Sequence, residues 1–538
     1  MATATRTVGR IESLLSARLF LNPQIAGDRL YFISDLAGRL SLYAMDVGGS
    51  VPEPLLPPGI ALQNPELVGG QSFTVLPELD RIVFMLDEDG DENYQPHVIP
   101  LAGGFPEPLS EGAFAGRRVH MADVDKAAGV GYFVAESREQ ALLRSIRVDL
   151  ATGSADTLGE GTHGPYPAAW TRDHSRTILG DGYTVGDVVL YERNGEGGAR
   201  QMVWGTVIDE RADGEEHPLS GFGSSYFTAS ERGLLVSTSL YDDASGPGYI
   251  DLAKPGEVEL VAVSEMVHEG AGEFEGLQRI DGDRFIALYN IDGCSWAYEA
   301  LFDEDARTLR LERVLCGEGE LKGGVLHGIA HDPTTGTFAL SFCTATTPTQ
   351  LFVIDGDETA SQTRERPLGL DPALLSPGED ASFTSHDGLR VSARLYLPSP
   401  ELGYDGPRPL VYYVHGGPQG QERPNFAWFS MPLIQILTLE GFAVFVPNAR
   451  GSTGYGMDYM KRVDHDWGGE DRLDHVRRLL LDDPRVVLPL DHEHRARDVA
   501  EIRLWRALDE EVAVAFRMAD RELEVRLPRR RDPVDERE

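Results

Sequence analysis

The sequence predicts two folds in series: a β-propeller of seven blades, then an α/β domain built on a parallel sheet. Three observations predict this. Short alternating apolar stretches recur about every fifty residues up to residue 358. A proline-rich stretch, RERPLGLDPALLSPGED (364–380), then breaks the pattern. Beyond it, continuous apolar runs and a helical spacing replace the alternation, as strands covered on both faces require. A chain of 538 residues is also too long for one ordinary core.

The repeat begins with GDRLYFISD (27–35), LDRIVFMLDEDG (79–90), AGVGYFVAES (128–137) and HSRTILGDGY (174–183). It continues with RGLLVSTSL (232–240), DRFIALYNIDG (283–293) and TGTFALSFC (335–343). With Leu30, Ile82, Val130, Ile178, Leu234, Phe285 and Phe338 as markers, the spacings are 52, 48, 48, 56, 51 and 53 residues. A second alternating strand follows each marker, most clearly in LSLYAMDVGG, QPHVIPLAGG, LLRSIRVDLATG, DVVLYERNGEGG and TQLFVIDGDE. Period-two alternation between Gly and Asp turns means hairpins of half-buried strands. Units of this length, each with several short strands, fit propeller blades, which stack because one blade cannot bury both faces alone. The period is too long for a β-helix rung, and seven units are too many for sandwiches.

Within the repeat, DEDGDENY (87–94) is not an EF-hand loop, because Gly90 stands fourth from Asp87 instead of sixth. It reads as a solvated hairpin turn. His327 and His331 lie four apart in HGIAH without the glutamate of a zinc-protease helix, and read as structural. Cys294, Cys316 and Cys343 are an odd number without metal-ligand spacing and read as buried free thiols in a reducing cytoplasm. No metal and no cofactor is expected.

The proline-rich stretch is the expected linker, with the propeller over residues 1–370. After it, SFTSHDG and LRVSARLYLP read as two strands joined at Asp387-Gly388, and RPLVYYVHGGP as a strand covered on both faces. FSMPLIQILTLEG has helical spacing at Met431, Ile434 and Leu437 and stops at Gly441. FAVFVPN (442–448) is a further buried strand. Strand, helix and strand in that order imply a parallel sheet.

HGGPQGQ (415–421), PNARGSTGYG (447–456) and DWGGEDRLD (466–474), behind seven blades, resemble the prolyl oligopeptidase family of serine peptidases, in the branch with acylaminoacyl peptidases and dipeptidyl aminopeptidases. The resemblance spans about residues 10–476 and implies an incomplete α/β-hydrolase domain over 371–476. It also implies short peptides as partners and an acyl-enzyme mechanism. The family role of the His-Gly-Gly loop, an oxyanion-hole N–H, carries over to Gly417, with Gly416 beside it. A tight turn alone is the other account of both glycines. By the same resemblance His415, Arg450 and Tyr455 shape the supporting loops.

The family next requires a strand ending in G-x-S-x-G. The nearest approach is Ser452 in ARGSTG, where Arg450 takes the first glycine position, and no serine follows it in this sequence. No catalytic residue is therefore assigned. From Arg477 the composition changes: residues 477–538 contain no Gly, Ser, Thr, Asn, Gln, Lys or Tyr. They hold 14 arginines against 16 acidic residues, whereas the preceding 476 carry 35 basic and 71 acidic residues. With only Lys126, Lys254, Lys322 and Lys461 among 49 basic residues, the coding is GC-rich. A reading-frame change near residue 475 is the expectation. A genuine segment is the alternative, since Val499, Ile502, Trp505, Leu508, Val512 and Phe516 share one helical face. His492 and His494 have no nucleophile or metal set to serve.

The net charge of −38 argues against nucleic acid. No apolar run spans a membrane, and the N-terminus carries no secretory pattern, so a cytoplasmic protein is expected. The sequence carries no signal of oligomeric state. Two readings of function follow. One is a serine-peptidase lineage whose nucleophile, base and acid are missing here. The other is a non-catalytic propeller that binds a peptide or protein. The DNA beyond codon 475, read in the other frames, separates them.

Overall fold

The computed structural model describes residues 10–110, 112–193, 199–212, 214, 217–479, 485–487, 513–518 and 521–526. Among the described residues, seven antiparallel sheets follow one another from Phe20 to Ser361. Six have four strands, and the sixth in chain order gains a fifth because Ala262–Ser264 pairs in parallel with Thr308–Cys316. All seven repeat markers fall on the second strand of their sheet's antiparallel run, from Leu30 in Arg29–Ser34 to Phe338 in Phe338–Cys343. Six of the seven are fully buried, while Val130 is half-buried.

The sheets are propeller-like blades because each shares its apolar face with the next. Leu42, Leu55, Phe73 and Phe84 form one cluster across the first and second sheets. Met85, Phe133 and Ile146 join the second to the third, and Tyr132 stacks on Trp170 of the fourth with ring centroids 4.1 Å apart. Leu190 with Leu234, Tyr249 with Phe285, and Ile286 with Phe338 continue the series. Phe20, Phe32 and Tyr43 then pack with Ala339, Leu351 and Val353, bringing the seventh sheet against the first. Burial on both faces is thereby achieved by succession.

The acidic run 87–94 forms the turn between Arg81–Leu86 and Gln95–Pro100, with residues 88–92 exposed and Tyr94 buried in the core. Cys316 and Cys343 are buried as expected, whereas Cys294 is only half-buried. The proline-rich stretch is not free along its whole length. Leu375 is buried, and the Ser376 N–H donates to Gln435 Oε1 at 2.9 Å. Residues 10–14 are helical and reach across to the second part, where Leu14 packs with Tyr396 and Met431.

The second part forms a mixed sheet, which corrects the expected parallel one. Phe383–Thr384 and Arg390–Tyr396 form the hairpin at Asp387-Gly388, and Arg390–Tyr396 runs antiparallel to Ala443–Asn448. Only Arg408–Tyr412 lies parallel to Ala443–Asn448, joined through the helix Ser430–Leu439. An apolar run reports burial and not strand direction, so the hairpin's entry could not be read from it. Pro432 is tolerated in that helix because first-turn N–H groups have no intrahelical acceptor. Met431 and Ile434 are fully buried, as is every residue of Ala443–Asn448. The 408–412 strand is half-exposed instead of covered, and among the described residues the strand beyond it is the short Val486–Val487, paired at Arg408 and Pro409.

The composition break at Arg477 falls inside the helix Glu470–Leu479. Most of residues 477–538, including His492, His494 and five of the six helical-face positions, lies outside the described residues. The sixth, Phe516, is on the strand Ala513–Met518, paired with Arg521–Arg526, and not on a helix. Among the described residues no helix is long and apolar enough to cross a membrane.

Candidate functional site

Where the 408–412 strand ends, the Tyr413 N–H still donates to Phe445 O at 2.9 Å, and the chain then leaves the sheet as the loop 414–421. Gly417 has φ +134°, and a Cβ there would stand 2.7 Å from Gln419 N, so only glycine fits. Gly416 has open space around it. Both are exposed, and among the described residues neither N–H has an acceptor. The loop therefore needs Gly417 for its own shape and also presents two free donors at the surface.

His415 fastens this loop to the next one. Its Nδ1 lies 2.9 Å from Gly416 O and its Nε2 3.0 Å from Ser452 Oγ. Burial lowers its pKa, against the opposing pull of the Gly416 carbonyl, so the ring is neutral at neutral pH. Ser452 is 1% exposed, and its hydroxyl donates to Ala449 O at 2.6 Å.

Arg450 is buried and gathers three elements. It binds Asp474 of the 470–479 helix through Nε–Oδ2 at 2.9 Å and Nη2–Oδ1 at 2.8 Å, and its N–H donates to the same carboxylate at 3.1 Å. Nη2 also lies 3.0 Å from Asp387 in the hairpin turn. Burial opposes the charge, but Asp474 and Asp387 more than offset it and raise the pKa. Ser385 donates to Asp474 as well. His386, Asp387 and Glu470 converge at the surface near this ion pair. Arg450, 3.8 Å from Glu470, already supplies positive charge there.

Tyr455 Oη accepts from Asn448 Nδ2 at 3.0 Å, and Asn448 in turn holds the Glu422 backbone through 2.8 and 3.1 Å bonds. Sequence reasoning missed Glu422. Its buried carboxyl accepts from the Ser430 hydroxyl, and burial pushes its pKa to about 7, against the lowering effect of that hydrogen bond. It also missed Asp474 and the His415–Ser452 contact. Asp474 closes DWGGEDRLD, a motif already singled out, so a signal for it existed.

These loops sit on the edge of the fifth to seventh sheets. Arg423 Nε donates to Gly293 O at 2.9 Å and Nη2 to Ser295 Oγ at 2.8 Å. Asn290 Nδ2 donates to Gln421 at 2.7 Å. The N–H groups of Asp458 and Gly456 donate to Asp243 and Glu273 at 2.6 and 3.1 Å. A cavity of about 150 Å³ lies beside them, lined by Glu275, Ser295, Trp296 and Arg423 among others.

Residues 427–478 match the prolyl oligopeptidase family. The chain is 32% identical over 103 residues to a probable dipeptidyl-peptidase 5 of Aspergillus terreus, covering 19% of this chain and 14% of that protein. It is 27% identical over 203 residues to the uncharacterized peptidase YuxL of Bacillus subtilis, covering 38% and 29%. The matched segments thus cover less than a third of each of these curated relatives. The fold matches a puromycin-hydrolyzing peptidase of Mycobacterium tuberculosis (TM-score 0.64, 17% identity, 87% of this chain and 72% of that one). It also matches the acylaminoacyl peptidase of Pyrococcus horikoshii (TM-score 0.57, 14% identity, 89% and 73%).

Proposed function

We propose that this chain, a member of the prolyl oligopeptidase family, is a non-hydrolysing one. Residues 1–370 make a seven-bladed propeller that admits short peptides. Residues 371–476 carry the front part of an α/β-hydrolase domain, with its oxyanion loop but without a working nucleophile. The observation that carries this reading is Ser452, the last serine in the sequence, which is 1% exposed and spends its proton on Ala449 O. A nucleophilic serine must instead face the substrate and give its proton to a base. Gly417 offers one oxyanion donor, while the family's second donor belongs to the residue after the missing serine.

Losing a triad serine alone costs roughly a millionfold in turnover. Aminoacyl and dipeptidyl chromogenic substrates should therefore remain uncleaved, and fluorophosphonates should not label the chain. A second reading rests on the 3.0 Å His415–Ser452 contact, which pairs a hydroxyl with a neutral imidazole. A fluorophosphonate adduct mapped by mass spectrometry to Ser452 would establish that reading and overturn ours. For residues 477–538 we propose a reading-frame change. The DNA after codon 475 should encode G-x-S-x-G, then Asp, then His in another frame, and its absence from both frames would refute this.

A further inference from the structure

The HGIAH histidines part company in the fold. The pairing of Val325–His331 with Phe338–Cys343 shifts between Leu326 and Ile329, so His327 and Gly328 form a bulge. Gly328 has φ +103°, and its missing Cβ would stand 3.0 Å from Asn22 Cα of the first sheet. A bulge re-aims a side chain. His331 packs on Phe338 with ring centroids 4.7 Å apart, whereas His327 is buried beside Cys343 and Asn425.

Three donor atoms from three separate segments meet there. His327 Nε2 lies 2.9 Å from Asn425 Oδ1 and 3.4 Å from Cys343 Sγ, and Sγ lies 3.2 Å from Asn425 Oδ1. All three residues are at least nine-tenths buried. As plain hydrogen bonding this cluster is crowded. Asn425 Oδ1 also accepts the Ala427 N–H at 3.0 Å, so three donors would compete for the two lone pairs of one oxygen. A cation about 2.0–2.3 Å from each atom removes the conflict, because Nε2 and Sγ then face it with lone pairs. The other nitrogen of His327, Nδ1, is 2.8 Å from Glu66 Oε1, in the turn Pro65–Leu67 between the first and second sheets. Metal-ligating histidines almost always carry such a carboxylate or carbonyl partner.

We propose that Cys343, His327 and Asn425 bind a thiophilic divalent cation of the Zn²⁺ type, with Glu66 as the positioning residue of His327. As the metal binds, the thiol proton and the Nε2 proton both leave to solvent, Nδ1 keeps its proton toward Glu66, and a solvent molecule completes the tetrahedral set. The site ties the seventh sheet, the turn after the first sheet and the segment leading into the second part's helix to one ion. It stands independently of the peptidase reading.

The test is to strip the full-length, reduced chain with a chelator and titrate it with Co²⁺ alone. The expected result is one equivalent bound, with a thiolate-to-cobalt charge-transfer band that Zn²⁺ abolishes. Cys343→Ser should lose the band, and Cys294→Ser should keep it. Glu66→Gln should weaken binding by about ten- to a hundredfold. Asn425→Asp, which supplies a stronger oxygen ligand and does not rely on removing the buried thiol, should tighten it by about tenfold. No charge-transfer band in the unaltered chain, a band that survives Cys343→Ser, or unchanged affinity in Asn425→Asp would each overturn the proposal.

Discussion

Two strands, each with an apolar run, meet different fates in this molecule. Phe338–Cys343 is buried at every position, with Val325–His331 on one side and Gln350–Asp355 on the other. Arg408–Tyr412 is half-exposed throughout the run Leu410–Tyr412, and among the described residues only the two-residue strand Val486–Val487 lies beyond it. The first belongs to a series of sheets in which every face is taken by the next sheet, and the last by the first. The second belongs to an open sheet whose burial depends on a neighbour. Apolar content specifies that a strand is to be covered, and topology decides whether anything covers it.

If succession stabilises the ring, the ring does not need the second part. A fragment of residues 1–370 should be soluble and β-rich by circular dichroism, although it loses the packing of Leu14 and Arg10 on the second part and the polar contacts of Asp243, Glu273, Asn290 and Ser295 with it. In the full chain, limited proteolysis should first cut after about residue 375 and release the C-terminal portion. This is the largest expected difference between the regions, folded against degraded. Equal protease resistance along the whole chain would erase it.

The next test acts inside the second part. Arg450 and Asp474 are almost fully buried, and removing one partner of such a pair strands the other charge. Arg450→Ala should destabilise this part by about 3–5 kcal/mol. Hydrogen exchange of the Ala443–Asn448 amides should quicken by about a hundredfold or more, with Arg284–Ile291 in the sixth sheet unchanged. Equal acceleration in both strands would mean that the two regions unfold as one unit.

This contrast also explains what was legible in the sequence. The ring was, because hairpin strands carry their own alternation, and Leu30 to Phe338 mark one strand in each of the seven sheets. The helix Ser430–Leu439 was, through Met431 and Ile434 on its buried face. The antiparallel entry of Arg390–Tyr396 was not, because direction leaves no trace in an apolar run. The site divides in the same way. His415, Gly417 and Arg450 stand in recognisable motifs, but the pairing of Arg450 with Asp474 joins residues 24 apart, and that of His327 with Asn425 joins residues 98 apart. No local spacing encodes such pairs. Glu422 looked like one more acidic residue among 87, and only burial sets it apart.

Glu422 gives the smallest effect and the sharpest comparison of the two regions with pH. Its folded pKa, about 7, lies above the unfolded value of about 4.3, so the folded state holds the proton more tightly. The stability this contributes is present in full below about pH 4.3 and is lost as pH rises through about 7. The loss amounts to at most about 4 kcal/mol, less where water reaches the carboxyl. Glu422→Gln keeps an oxygen for the Ser430 hydroxyl and has no proton to lose. Amide protection in Ala443–Asn448 should therefore fall between pH 5 and pH 8 in the unaltered chain and change less in the variant. A strand-resolved readout is needed because Asp123, in the ring, is itself pushed up to about 6 by burial. If Glu422→Gln leaves the pH dependence of the 443–448 strand unchanged, the buried carboxyl is already ionised. The polar anchoring of the open sheet would then be as indifferent to pH in this range as the apolar packing of the ring.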